Sequence, residues 1–335
     1  MKHFILALAT LSTVCLSLSA CSDSEPAPIH AMKLAPIGSL MGVDHKDIRI
    51  NLVNYLGNSE NIHPKVLYFD RGWNGHKWWM AYTPYPHGSI ADENPCIAVS
   101  DDGINWAAPE GLENPLATAP RGGYQSDTHL VYEPVHDVLE CWYRTYNIKE
   151  NSSILYRRKS TDGVHWTAPE NVSNAVNSVH PDCLSPAVSV VDGHYLMAYM
   201  YWGGLFTVRA QSPVPAVDWG TPREIKIPYP KAGMSIWHQD MVVDEETRTA
   251  LVAANCPEAG HNNNSADLYL FSFNIDTGEA TVPELLIARG TDPDDIDYKA
   301  VYRSSIVLMP GQMLVYFSSI DRSDRRHMSL AVFPR

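Results

Sequence analysis

The chain has 335 residues, with 38 acidic against 25 basic side chains and a formal charge of −13 at pH 7. Phosphate backbones are repelled by so acidic a chain, which argues against nucleic acid as a partner. About 300 residues beyond the leader are ample for one large core.

Residues 1–20 read as a secretory signal: a lysine at position 2, an apolar run too short and too interrupted for a membrane span, then small residues. The ending "LSAC" is similar to a bacterial lipobox, which implies cleavage before Cys21 and lipidation of its thiol. Ser22, in place of an inner-membrane retention aspartate, points to an outer-membrane lipoprotein facing the periplasm or the cell surface. Residues 21–39 are polar and proline-rich, as a tether requires. Without Lys2 the net charge is about −14. Cys96, Cys141, Cys183 and Cys256 remain, with no CxxC pair or zinc-ligand spacing, and buried free thiols are expected.

From there on, short runs such as "KVLYF", "KWWMAY", "HLVYE", "YLMAYM", "LYLFSF" and "MLVYFSS" alternate with Gly, Pro, Asn and Asp. No window of twelve or more residues keeps a helical period, so an all-β fold is expected. "SDDGINW" at 100–106 and "STDGVHW" at 160–166 share S-x-D-G-x-x-W, and "SPVPAVDWGTP" from Ser212 is a degenerate third copy. In such turns the aspartate accepts backbone N–H groups and the glycine takes a positive φ, which makes the motif structural.

A second series keeps step. Polar residues open strands at His63, Asp127, Ser185, Asp240 and Arg303, in steps of 64, 58, 55 and 63. Five units of about four strands each describe a five-bladed β-propeller over residues 40–335. The segment "GSLMGVDHKDIRI" or the C-terminal "MSLAVFPR" would close the ring. The first strand of each blade lines the central channel, so the leading residues of five blades converge at one mouth. Strand alternation places Asp127 and His129 on one face there. Loops between second and third strands open on the same side, and the first of them delivers Glu93.

The blade openings and the S-x-D-G-x-x-W turns resemble the five-bladed propeller superfamily of arabinanases, xylosidases, invertases and levansucrases over nearly all of residues 40–335. The resemblance implies glycosidase chemistry by three carboxylates: an aspartate opening blade one, commonly as Asp-Pro, an aspartate opening blade two, and a glutamate near blade three. Asp127 matches the second position. His63-Pro64 stands where Asp-Pro is expected, and Ser185-Pro186 opens blade three without a glutamate. Some glycosidases of this superfamily use a histidine as the acid, so the resemblance accommodates His63.

The candidate catalytic residues are Asp127, Asp240, Glu93 and His63. A carboxylate beside His129 or His238 and near Arg303 suits a base, and Glu93 packed against aromatics suits an acid. His129, His238, Trp237, Tyr302, Arg303, Trp73 and Trp202 are the candidate substrate-binding residues, with the loop tryptophans offering faces for a sugar ring. The leading reading is a glycoside hydrolase that cleaves an extracellular poly- or oligosaccharide. It requires no cofactor and accommodates a structural divalent cation in the channel. One alternative is a glycan-binding propeller without turnover. The other is a metal-assisted hydrolase or lyase built on His63, His129, His238, Asp127 and Asp240, since imidazoles and carboxylates suit a divalent ion.

Overall fold

The computed structural model describes residues 44–335 apart from 47, 174–175, 177–178 and 258–264. The expected signal, the lipidation site Cys21 and the tether lie outside the described residues. Among the described residues no helix is long and apolar enough to cross a membrane.

Five antiparallel sheets follow one another along the chain. Blade one holds β2 (Asn61–Trp73), β3 (His76–Pro84) and β4 (Cys96–Ser100), after the short β1 (Asn51–Leu52) and before the short β5 (Asn105–Trp106). Blade two holds β6 (Gly123–Glu133), β7 (Val138–Asn147), β8 (Ser152–Ser160) and β9 (Glu170–Asn171). Blade three holds β10 (Leu184–Val191), β11 (His194–Tyr201), β12 (Gly204–Arg209) and β13 (Arg223–Ile225). β14 (His238–Asp244), β15 (Thr249–Pro257), β16 (Ala266–Asn274) and β17 (Glu284–Ile287) form blade four. β18 (Ala300–Met309), β19 (Gln312–Ile320) and β20 (Arg326–Pro334) form blade five. The inner strands β2, β6, β10, β14 and β18 pack in sequence, and β18 closes on β2.

Both expected closing segments are used, and together. Ile50 N–H donates to Met328 O at 2.9 Å and Leu330 N–H to Ile48 O at 3.0 Å, so the segment around Arg49 supplies the outer edge of blade five. It runs directly into β1, which pairs in parallel with β5 of blade one. In blade one the fourth position is a single bridge, Val99 to Ala107.

Each blade buries both faces, so its strands read as nearly continuous apolar runs. In β11, Tyr195, Met197 and Tyr199 pack toward blade two, while Leu196, Ala198 and Met200 pack toward blade four. Five such inter-blade clusters, one per interface, make up the core. The four cysteines are buried as free thiols. Both complete S-x-D-G-x-x-W turns fold alike. Gly103 and Gly163 N–H donate to the Ser100 and Ser160 hydroxyls at 2.9 and 2.8 Å. The Trp106 and Trp166 indole N–H groups each return to the glycine carbonyl at 3.1 Å.

Candidate active site

Inner strands do not enter the channel straight. Register breaks lie between Ile62 and Lys65, Ser126 and His129, Leu184 and Ala187, and Val301 and Ser304. In the first three, a non-glycine residue at the break is left-handed: His63 at φ 56°, Asp127 at 56° and Ser185 at 53°. Bulges re-aim side chains, and strain of this kind concentrates where geometry is functional. One expectation is thereby corrected. Asp127 and His129 do not share a face, because the bulge between them breaks the alternation. His129 instead accepts Val188 N–H at 2.9 Å through Nε2, and its Nδ1 lies 3.8 Å from Asp240.

Asp127 faces two histidines. Its Oδ1 lies 3.6 Å from His63 Nε2 and 3.2 Å from His238 Nδ1, and the three atoms all fall within 4.8 Å of one another. Both ring nitrogens are buried without a hydrogen-bond partner. The other nitrogens are engaged: His238 Nε2 meets Tyr302 OH at 2.7 Å, while His63 Nδ1 accepts Asp127 N–H at 3.2 Å and lies 3.0 Å from Thr83 Oγ1. The carboxylate is braced from behind. Arg144 Nε donates to Oδ2 at 2.9 Å, Arg303 Nη1 donates to Oδ1 at 3.1 Å, and Arg144 Nη1 reaches Asp182 at 2.8 Å.

Asp240 has a different occupation. Lys65 Nζ donates to both of its oxygens, at 2.8 and 3.0 Å, and Ile306 N–H donates to Oδ2 at 2.8 Å. Its acceptors are thus spent on a buried ion pair that ties blades one, four and five together. Other polar residues of the channel do likewise: Gln239 Nε2 donates to Ser185 O and Ala198 O, and Thr128 Oγ1 donates to His63 O. The axis is a packed polar seam, and the cluster sits at its upper end.

Burial is the largest influence on every titratable group in the cluster. It pushes His63 well below the usual histidine range and His238 down to about 4, so both rings are neutral at neutral pH. It would raise Asp127, but the Arg144 charge and the His238 contact outweigh it and hold the carboxyl well below its usual range. Glu93, buried with Oε1 3.9 Å from His63 Nδ1, moves the other way: burial and the Asp127 charge push it well up.

The aromatic candidates divide three ways. Tyr302 stacks on His63 at 5.8 Å, and Trp237 lies 5.7 Å from the His238 ring; both are half-buried at the cluster. Trp73 is corrected to a core residue. It ends β2 at the far side of the molecule, packs edge-on to Trp79 at 5.1 Å, and donates its indole N–H to Asp137 at 2.7 Å. Trp202 stands exposed on the β11–β12 turn, outside the cluster. Sequence reading missed Arg144, Lys65 and Thr83. Lys65 carried a usable signal, as a lone cation two residues past a blade opening.

No family model matches the chain. The A type blood N-acetyl-alpha-D-galactosamine deacetylase of Flavonifractor plautii is 24% identical over 318 residues, covering 79% of this chain and 41% of that protein. The chain therefore spans less than half the length of that relative. Among solved structures, an N-acetylgalactosamine deacetylase from F. plautii, in complex with blood group B trisaccharide, superposes with a TM-score of 0.71. The identity is 22%, over 85% of this chain and 93% of that one. The fold is that of the five-bladed propeller glycoside hydrolases. A glycosyl hydrolase from Bacteroides ovatus illustrates it further, at TM-score 0.59 and 12% identity over 87% of this chain and 92% of that one. Within this fold Asp127 lies at the opening of blade two and His63 at the opening of blade one.

Proposed function

We propose that the protein is a carbohydrate-acting hydrolase that removes an N-acyl group from an amino sugar, with His63, Asp127 and His238 holding a divalent cation. The observation that carries this reading is the pair of buried, unpartnered ring nitrogens facing one carboxylate oxygen. Ligand atoms about 2.1 Å from one tetrahedral ion lie about 3.4 Å apart, and the separations of 3.2 and 3.6 Å bracket that value. The donor set of two neutral imidazoles and a carboxylate fits a zinc-class ion when the His63 proton sits on Nδ1, donating to Thr83 Oγ1 in place of the bond accepted from Asp127 N–H, which leaves Nε2 for the cation. Tyr302 fixes the His238 ring through Nε2, which leaves Nδ1 for the cation, and the two arginines orient Asp127. When bound, such a cation lowers the pKa of water and polarises an acyl carbonyl.

The chain's own groups supply the rest. Glu93, whose carboxyl is pushed well up by burial and the Asp127 charge, is the group that delivers a proton to the leaving nitrogen as the C–N bond breaks. Water adds to the carbonyl carbon, so the products are a carboxylate and an amine. The F. plautii deacetylases support an N-acetylated sugar as substrate. A second reading draws on Glu93 lying in the field of ionised Asp127: two carboxyl groups with opposed shifts are the pairing that glycosidases use. Asp240 serves neither reading, since Lys65 and Ile306 hold both of its oxygens.

The deciding experiment supplies N-acetylgalactosamine-terminated glycans and measures acetate and reducing sugar, with and without EDTA. Acetate release that EDTA abolishes and added zinc restores supports the deacylase. EDTA-resistant release of reducing sugar overturns it in favour of the glycosidase, and binding without either product leaves a glycan-binding propeller. We further propose export and lipid anchoring at Cys21 in the outer membrane, supported by "LSAC". Fatty-acid labelling that persists in Cys21→Ser would refute this.

A further inference from the structure

Blade three carries a groove that the catalytic cluster does not use. Its β11–β12 hairpin turns on Trp202 and Gly203, at the end of the molecule where the inner strands begin. Both residues are left-handed, at φ 48° and 77°. Two-residue hairpin turns of this type favour Asn-Gly or Asp-Gly, and the chain complies at Asn74-Gly75 (45° and 89°) and Asp192-Gly193 (48° and 71°). A tryptophan in that conformation is strained. Here its side chain is also 86% exposed, so burial does not offset the strain. Strain held without a packing return points to a role in contact with something else.

Beside Trp202 lies a groove of about 630 Å³, within the range of small-molecule sites. Its aromatic wall is continuous: His180 stacks on Tyr201 with ring centroids 4.3 Å apart and meets Phe206 edge-on at 4.4 Å, and Trp202 stands perpendicular to Tyr201. Glu224 and Lys226, paired with each other, add an anion and a cation to the lining. The groove is coupled to the cluster through one short segment. His180 is two residues from Asp182, whose carboxylate holds Arg144, and Arg144 holds Asp127.

We propose that this groove is a second sugar subsite, which takes a unit of an oligosaccharide beyond the one that reaches His63, Asp127 and His238. A pyranose ring presents an apolar C–H face and a rim of hydroxyls. Trp202 offers a flat partner to the face, and Glu224 and Lys226 offer an acceptor and a donor to the rim. The proposal rests on the carbohydrate reading of the site. It makes the preferred substrate a chain and not a single sugar.

The test titrates N-acetylgalactosamine, and a trisaccharide ending in it, into the protein and into Trp202→Asn by calorimetry, with a melting curve for each. The trisaccharide should bind the unaltered protein at least about tenfold more tightly. In Trp202→Asn that advantage should vanish while Tm rises, because asparagine suits the turn. No advantage in the unaltered protein, an advantage kept in the variant, or an advantage lost together with a fall in Tm would each overturn the subsite. A Trp202-dependent dimer in sedimentation, with the advantage kept, would assign the indole to a second copy of this chain. Binding is read without turnover, so the two readings fail separately. A trisaccharide advantage without acetate release sinks only the deacylase, and acetate release without the advantage sinks only the subsite.

Discussion

His63, Asp127 and Ser185 hold nearly the same left-handed angle at the same place in three successive blades, and what differs is only the side chain each bulge presents. A propeller that repeats a strained opening and varies its residue has a site assembled by substitution on a constant backbone. Two variants separate chemistry from support. Glu93→Gln keeps the size and polarity of a neutral acid but has no proton to give. Turnover should fall by about 10²-fold or more, with the melting curve unmoved. Equal loss of Tm and turnover would make Glu93 a structural group. Asp127→Asn should do both kinds of damage, because it leaves Arg144 and Arg303 facing a neutral group inside the fold. Breaking a buried pair costs about 3–5 kcal/mol; Asp182 still holds Arg144, so the lower end is expected by urea denaturation, together with loss of activity. A variant as stable as the parent would refute the ion-pair account. The cluster was partly legible in the sequence: His63, Asp127 and His238 stand at or beside strand openings, where polarity is conspicuous. Arg144 was not, because "CWYRTY" reads as mid-strand, and only its register opposite Ser126 brings the guanidinium to the channel.

At the level of the element, the S-x-D-G-x-x-W turn is where short-range sequence determines structure most completely. Burial alone would raise the Asp102 carboxyl, but Asn105 and Ile104 N–H, the Asn105 amide and the Ser100 hydroxyl together hold it below its ordinary range. A depressed carboxyl contributes stability above its unfolded pKa of about 3.9, and that contribution is lost as pH falls through the folded value. Asp102→Asn should therefore lower stability at pH 7 by about 1 kcal/mol, and the gap to the parent should close in acid. A gap that is constant from pH 7 to pH 3 would show that the charge is irrelevant. Turnover per folded molecule should stay near that of the parent. The turn was readable because all its hydrogen bonds lie within a few residues. Trp73 was misread for the converse reason: glycines flank it on both sides, and only the β2–β3 register, which resumes at Trp73 opposite His76 after a break, reveals it as strand.

For the whole molecule, the in-phase repeat series made five blades visible before any contact was known, while the seam between the last blade and the first could be narrowed only to two segments. Those segments pair with each other, and a pairing between distant parts of a chain leaves no local signature. Ile48, Ile50 and Leu52 are buried in the cluster that joins blades five and one. Deleting residues through 52 should remove about 1.5–3 kcal/mol for each of these three side chains and open the ring to limited proteolysis near β5 and β20. A truncated protein with an unchanged Tm would mean that the seam holds without its clasp. The clasp also sets an order of events. Residues 48–50 leave the ribosome before any complete blade, yet their partners Met328 and Leu330 follow all five inner strands. Every blade can collapse on its predecessor as it emerges, but the circle stays open until the last strand of blade five has been made. A chain stopped short of residue 328 would therefore leave exposed edges at both ends of the ring, as a ready template for pairing with other chains.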